Sequence, residues 1–439
     1  MTPGAQVAAA IELLATIDTG MHPADEIAAD YFRRRRYIGA KDRVKISSHV
    51  YTVLRHRLSL DWWIGKHATD IGPRSRVLAA LMLTEGWRPE AVVACCDGNR
   101  FRPPPLSEAE KRLVHGLAKH TLRHPEMSRA VANDLPEWLV PYLDRVFGKG
   151  LEREMAALNA SAPTDLRVNW LKTDREAARR TLAAEGIKAE PTPWSLIGLR
   201  LATRVPLGVL AAFREGLVEV QDEGSQIAAL LADAQPGMRV VDFCAGAGGK
   251  TLALAASMAN RGKLVACDVS ARRLGDAARR LRRAGVGNVE RRTLGGEHDK
   301  WVKRHAGGFD RVLVDAPCLG TGTWRRNPGD KWRVTEADLA DLIVRQQEIL
   351  GSAARLVRPG GRLVYATCSL LHEENEAQAE ALLAALPEFS VVPAAQVWHE
   401  TIGGTAPGGE RYLRLTPARH GTDGFFVAIF EREPCPTAS

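Results

Sequence analysis

The sequence predicts a doubly wound α/β domain in its C-terminal half, preceded by a small α+β module and an all-helical region. Three observations predict it. Strand and helix patterns alternate from about Gly224 onward, a glycine-rich turn follows the first strand of that alternation, and apolar residues recur at helical spacing through the first 125 positions. At 439 residues, three domains are expected, spanning 1–125, 126–223 and 224–435.

The helical region rests on the periodicities Val7–Leu14, Ile46–Leu60 and Val77–Leu83, with Gly and Pro confined to the joins. Ser107 followed by Glu110 is a capping box that opens a further helix. The run Arg33-Arg34-Arg35-Arg36 reads first as a solvated helix face and second as a phosphate-contacting patch. After His124, Leu135–Leu139 begins a helical stretch toward Ala157. Leu166–Lys172 alternates as a strand does, Asp174–Glu185 is a helix stopped by Gly186, and Val218–Val220 is a short strand.

In the last domain the expected strands are Arg239–Phe243, Leu264–Asp268, Val289–Arg292, Arg311–Asp315, Arg362–Thr367 and Phe425–Phe430. Helices are expected at Lys250–Met258, Ala271–Ala284 and Glu336–Val357, the last capped by Thr335 with Asp338. Parallel strands need such crossovers, so the sheet is doubly wound.

Hydrophobic residues at 45% and charged residues at 26% permit a substantial core and exclude a disordered polymer. A net charge of +8 favours a polyanionic partner, RNA or DNA. No stretch approaches the ~18–20 apolar residues of a membrane span, and Met1–Thr16 lacks the marks of a signal peptide, so a cytoplasmic chain is expected. Of the seven cysteines, Cys95 and Cys96 are adjacent, while Cys244, Cys267, Cys318, Cys368 and Cys435 are scattered. The odd count without CxxC spacing suggests neither a disulfide framework nor a metal site.

The glycine turn reads Asp242-Phe243-Cys244-Ala245-Gly246-Ala247-Gly248-Gly249-Lys250-Thr251. A P-loop requires glycine where Cys244 stands, and a dinucleotide fingerprint starting at Gly246 requires glycine at Thr251. What remains is a strand-end acid followed by Gly-x-Gly-Gly, a turn that cups the amino-acid part of S-adenosylmethionine at a helix N-terminus. Asp268 ends the next strand, where a carboxylate accepts from two ribose hydroxyls.

Two cysteines follow strand ends of the same sheet, Cys318 in Asp315-Ala316-Pro317-Cys318 and Cys368 in Thr367-Cys368-Ser369. Ligands of open α/β sheets sit at the carboxyl ends of the strands, which puts both sulfurs on the cofactor side. That position suits methylation of cytosine C5. A thiolate adds to C6, C5 attacks the sulfonium methyl, a base removes the C5 proton, and the thiolate leaves. Asp315 is positioned to accept from the cytosine amine, or to donate to N3 when protonated. Chemistry alone permits either cysteine to be the nucleophile.

Pro317-Cys318 with Thr367-Cys368-Ser369 resembles the two-cysteine pattern of RNA cytosine-C5 methyltransferases of the Sun/Fmu (RsmB) family. Val220–Gln226 is similar to the VQDExSQ segment that opens the family's catalytic domain. Gly322–Pro328 with Lys331-Trp332 resembles its substrate loop, Asp423–Phe426 its final strand, and Arg167–Lys172 its small RNA-binding module. Asp42-Arg43 and Val50–Arg55 are similar to the NusB-like domain of its rRNA members.

The resemblance implies a Rossmann-like class I methyltransferase domain, an all-helical NusB-like domain, and small-subunit (16S) rRNA as substrate. It implies that Cys368 is the nucleophile, that Cys318 helps release the product, and that Lys250 and Asp315 line the pocket. No metal is implied, and a monomer is expected. The chain departs from the family in two places. Gly246-Ala247-Gly248-Gly249-Lys250 stands for Ala-Pro-Gly-Gly-Lys, and Thr293-Leu294-Gly295-Gly296 lacks the aspartate the family carries after its third strand, with Glu297 following later.

Trp324, Arg325, Arg326, Asn327 and Lys331 interleave cations with an indole, a pattern expected to hold phosphates and stack on a flipped base. Arg279-Arg280-Leu281-Arg282-Arg283 reads as either a solvated helix face or an RNA track. Two other functions fit less of the sequence: a DNA cytosine-C5 methyltransferase using Cys318, and a non-catalytic NusB-like RNA-binding factor.

Overall fold

The computed structural model describes residues 1–67 and 69–434, so Cys435 lies outside the described residues. The chain divides into two compact units, Met1–Ser161 with Trp324–Val334, and Ala162–Thr323 with Thr335 onward. The helical stretch after His124 therefore belongs with the first 125 residues, and the α+β module shares a unit with the doubly wound sheet.

The first unit is helical. Its longer helices are Pro3–Thr19, Ala24–Arg34, Ala40–Arg55, Arg57–Lys66, Pro73–Leu83, Glu108–Leu117, Val140–Phe147 and Leu151–Leu158. Leu13, Ile46, Val50, Leu60, Leu78 and Leu113 meet in its core. The Ile46–Leu60 periodicity is split at His56, which leaves helical geometry and bonds to Asp134 through Nδ1. Ser107 and Glu110 form the expected reciprocal cap. Arg33 and Arg34 pair with Asp30 on their own helix, as a solvated face does.

The segment 324–334 corrects an expectation. Trp324, Arg325 and Lys331 are buried, at 2%, 4% and 2% exposure, so they do not present open faces for a base or phosphate. The reason lies at the end of the helix Ala40–Arg55, whose last carbonyls lack partners within the helix. Lys331 Nζ donates to the Arg55 carbonyl (3.2 Å) and to Asn159 Oδ1 (2.9 Å), and Trp332 Nε1 donates to the Leu54 carbonyl (2.6 Å). The Arg325 carbonyl accepts from Arg55. Arg326 and Asn327 stay half-buried.

Burial pushes the Lys331 ammonium down to about 8. Between that value and the ~10.4 of a free lysine, the unfolded chain holds more protons than the folded one, so stability rises with pH. Lys331→Met should therefore cost more at pH 9.5 than at pH 7.5, the gap widening by ~1–2 kcal/mol in urea titrations. An equal loss at both values would mean that no buried cation is involved.

The second unit holds two sheets. β1 (Thr164–Val168), β2 (Ala189–Pro191), β3 (Gly198–Leu201) and β4 (Val218–Val220) form an antiparallel sheet in the order β2-β3-β1-β4. The helix Arg175–Ala184 buries Ala178 and Leu182 in this module's core. β1 stops short of the expected Lys172 because the chain turns at Asn169, whose amide donates to the Gly216 and Ala284 carbonyls.

The larger sheet contains β5 (Arg239–Asp242), β6 (Lys263–Asp268), β7 (Val289–Thr293), β8 (Phe309–Asp315), β9 (Val357–Thr367), β10 (Phe389–Val392), β11 (Leu413–Leu415) and β12 (Phe425–Arg432). Its order is β10-β12-β9-β8-β5-β6-β7, with β11 beside β12. Strands β5 to β9 run parallel, and β12 is antiparallel to β9, β10 and β11. Helices Gly249–Ser257, Ala271–Ala284 and Glu336–Ala354 supply crossovers, the last opened by the Thr335–Asp338 capping box. The central parallel strands bury apolar runs, Val240-Val241, Val312–Val314 and Leu363–Ala366, as burial on both faces requires. The strand order reverses between β5 and β8, so the crevice outside their carboxyl ends is where a ligand site is expected.

Candidate active site

A cavity of about 660 Å³ opens at those strand ends, within the usual range for a small-molecule site. Cys244, Ala245, Gly246, Ala247, Gly249, Lys250, Asp268 and Asp315 line it. Gly248 stands behind the wall at φ +80°, and a Cβ there would lie 3.0 Å from the Ala277 side chain, so this glycine lets two helices approach. Asp268 accepts from the amides of Gly246 (2.8 Å) and Ser270 (2.7 Å), which fixes its carboxylate at the cavity edge. Lys250 Nζ pairs with Asp315 at 2.7 Å.

Val269, Arg273, Leu294, Gly296, Glu297, Arg345 and Ile349 also line it. Glu297 thus reaches the cavity wall although it follows the position where an acid was expected. Its carbonyl is held by the Ser352 hydroxyl.

Asp242 ends β5 and is fully buried. Oδ2 accepts from the Thr251 hydroxyl at 2.6 Å, while Oδ1 has no partner among the described residues. Burial, aided by the Asp315 carboxylate and opposed by the Thr251 hydrogen bond, pushes its carboxyl up to about 7. An orphaned acid in a cavity wall is suited to a cationic ligand group.

Cys318 and Cys368 follow the ends of the neighbouring strands β8 and β9, and their sulfurs are 3.5 Å apart. The hydrogen bond to Cys368 raises the Cys318 thiol, and burial raises it further, so Cys318 keeps its proton at neutral pH. Pro317, one residue before it, lines the cavity.

The segment 229–431 matches the family described as 16S rRNA methyltransferase RsmB/F, and 135–208 matches the ferredoxin-like domain of RsmF/B-like methyltransferases. The ribosomal RNA small subunit methyltransferase B of Salmonella typhi is 31% identical over 89% of this chain and 91% of its own length. The protein of Synechocystis described as a probable ribosomal RNA small subunit methyltransferase B is 30% identical over 93% and 95%. The chain belongs to the RsmB/F family.

The solved structure of PH0851 is similar at a TM-score of 0.79 and 27% identity, covering 98% of this chain and 99% of that one. The cofactor of this RsmB/F chain is S-adenosylmethionine, and the residues present fit it. The orphaned Asp242 Oδ1 suits the ammonium, the glycine turn the amino-acid backbone, and Asp268 the ribose. Among the described residues, no helix is long and apolar enough to cross a membrane, and no cluster of His, Cys, Asp or Glu is fit to hold a metal.

Asp242 carries a pH prediction. The folded chain holds its proton up to about pH 7 and the unfolded chain releases it near 4, so stability falls as pH rises between them. Asp242→Asn should stabilise the cofactor-free protein by ~1–3 kcal/mol at pH 8 and little at pH 4. It should weaken cofactor binding about 10- to 100-fold. Melting curves at both pH values with titration calorimetry test this, and a pH-independent melting difference would contradict it.

Several residues of this RsmB/F site escaped the sequence reading. Glu374 is fully buried, and its Oε1 accepts from the Leu319 amide (3.0 Å) and Gln346 Nε2 (2.9 Å), while the same Gln346 amide also holds the Pro317 carbonyl. Burial raises the Glu374 carboxyl. Asn375 bonds Thr367 Oγ1 and the Ser369 carbonyl, bracing the Cys368 turn. The Gly322 amide donates to the Cys368 carbonyl, and a Cβ at Gly322 would meet the Gly424 carbonyl at 2.4 Å, so glycine alone fits there. The available signal is the polar run His372-Glu373-Glu374-Asn375-Glu376 just after the Cys368 turn.

Proposed function

We propose that the protein methylates C5 of a cytosine in 16S rRNA through a covalent bond between Cys368 and C6. The observation that carries the reading is the pair of sulfurs 3.5 Å apart, one of them next to a residue of the cofactor cavity. A single structural cysteine would not need a second thiol at a neighbouring strand end. Membership of an rRNA methyltransferase family favours this reading over a DNA methyltransferase or a non-catalytic factor.

When bound, the cofactor supplies an electrophilic methyl group on a sulfonium. Cys368 thiolate adds to C6, which turns C5 into a carbon nucleophile that takes the methyl. Cys318 gives its proton to solvent and, as thiolate, removes the C5 proton. The C6–S bond then breaks and Cys368 recovers its electron pair. Asp315, held by Lys250, accepts from the cytosine amine and keeps the ring in register. Arg326 and Asn327 contact the RNA, and the enzyme acts as a monomer in the cytoplasm.

Bisulfite sequencing of 16S rRNA from cells lacking the protein, with and without complementation, tests the reading. One cytosine should lose and regain its protection. Unchanged protection at every cytosine would overturn the proposal.

A further inference from the structure

We infer that Gln221 binds the carboxylate of the cofactor's amino-acid end, and that Arg167 of the four-stranded module is the positioning residue that orients Gln221 for it. Arg167 sits in β1 at 2% exposure, with no carboxylate at ion-pair distance among the described residues. Its Nη1 donates to Gln221 Oε1 (2.6 Å) and to the Gly249 carbonyl (2.6 Å), and its Nε is buried without a partner among the described residues. The acid that influences it, Glu219, is engaged by Arg283 at 2.5 Å and Arg280 at 3.5 Å. Burial pushes the guanidinium down to about 10.

A buried cation held only by neutral acceptors is costly unless an anion is brought to it. The only anion on S-adenosylmethionine is its α-carboxylate. Of the cations that line the cavity, Lys250, Arg273 and Arg345, the first is already neutralised by Asp315.

Arginine only donates, so its bond fixes which end of the Gln221 amide is oxygen. The nitrogen therefore points the other way. Nε2 donates to Ser225 Oγ at 3.0 Å, and its second hydrogen has no acceptor among the described residues. Gln221, Ser225 and Gly249 all line the cavity, and a Cβ on Gly249 would lie 3.9 Å from that nitrogen. Gly249 also opens the helix Gly249–Ser257, whose first amides lack partners within the helix. An oriented amide donor and helix-end amides thus line the cavity, with the buried Arg167 charge one hydrogen bond behind them at Gln221 and Gly249. The ferredoxin-like module thereby supplies part of the cofactor site.

Calorimetry on the full chain separates this role from simple bracing, using S-adenosylhomocysteine and 5′-methylthioadenosine, which lacks the amino-acid part. Gln221→Glu should weaken S-adenosylhomocysteine about 10- to 100-fold and leave methylthioadenosine within about twofold. Arg167→Met should do the same, with Arg167→Lys recovering part of the loss. Gln221→Glu keeps a partner for Arg167, so it preserves the fold should Arg167→Met disturb it. Equal weakening of both ligands, or no weakening of either, would overturn the inference. The readout is binding, so it stands apart from which base is methylated.

Discussion

Cys368→Ala should lower kcat on the order of 10⁴- to 10⁶-fold, the scale on which loss of a covalent nucleophile is felt in other enzymes. That corresponds to about 5–8 kcal/mol of barrier. The fold should not suffer, because the Cys368 turn is held through its backbone carbonyl by Gly322 and through Thr367 and Ser369 by Asn375. Cofactor binding should also persist, since Cys368 is absent from the cavity wall. The expected signature is thus an intact, cofactor-binding protein that transfers no methyl group and forms no adduct with RNA. Cys368→Ser should be equally inactive, because an alkoxide forms far less readily than a thiolate and leaves far less readily. Filter assays with labelled cofactor decide it. Full inactivity of Cys318→Ala, with retained transfer by Cys368→Ala, would reverse the assignment.

Much of the fold around this site is legible in the sequence. The elements with strong periodicity or explicit caps form where the pattern puts them, including Ala271–Ala284 and the Thr335 capping box. Asp268 and the glycine turn converge because parallel β5 and β6 must present adjacent carboxyl ends. The short strands β2, β3, β10 and β11 were missed, being stabilised by pairing across the chain rather than by a local alternation. The 324–334 segment was misread for a related reason. Its composition suits a nucleic-acid surface, but the helix-end carbonyls that claim Lys331 and Trp332 lie about 275 residues upstream and leave no local trace. Arg167 and Gln221 stand in motifs that the sequence shows, but their joint role is not legible there, since it arises only when β1 and β4 pair and bring them to one glycine.

Cys318→Ala should behave in the opposite way to Cys368→Ala, accumulating a covalent RNA–protein adduct visible as a retarded band on a denaturing gel. In the resting site, the largest influence raising the Cys318 thiol is its hydrogen bond to Cys368. Once Cys368 has bonded to C6, its sulfur is a neutral thioether, and that influence disappears. Cys318 then loses its proton more readily and becomes the base for C5 at the stage when a base is needed. Without it, methylation proceeds once per enzyme and elimination stalls. Multiple-turnover rate should fall about 10²- to 10⁴-fold, as for loss of a general base, while a burst of one methyl group per enzyme remains. The adduct should carry the transferred methyl, so labelled cofactor should mark the retarded band. A Cys318→Ala variant that turns over freely without adduct would mean that another group removes the C5 proton, and the 3.5 Å pairing of sulfurs would then have no part in release.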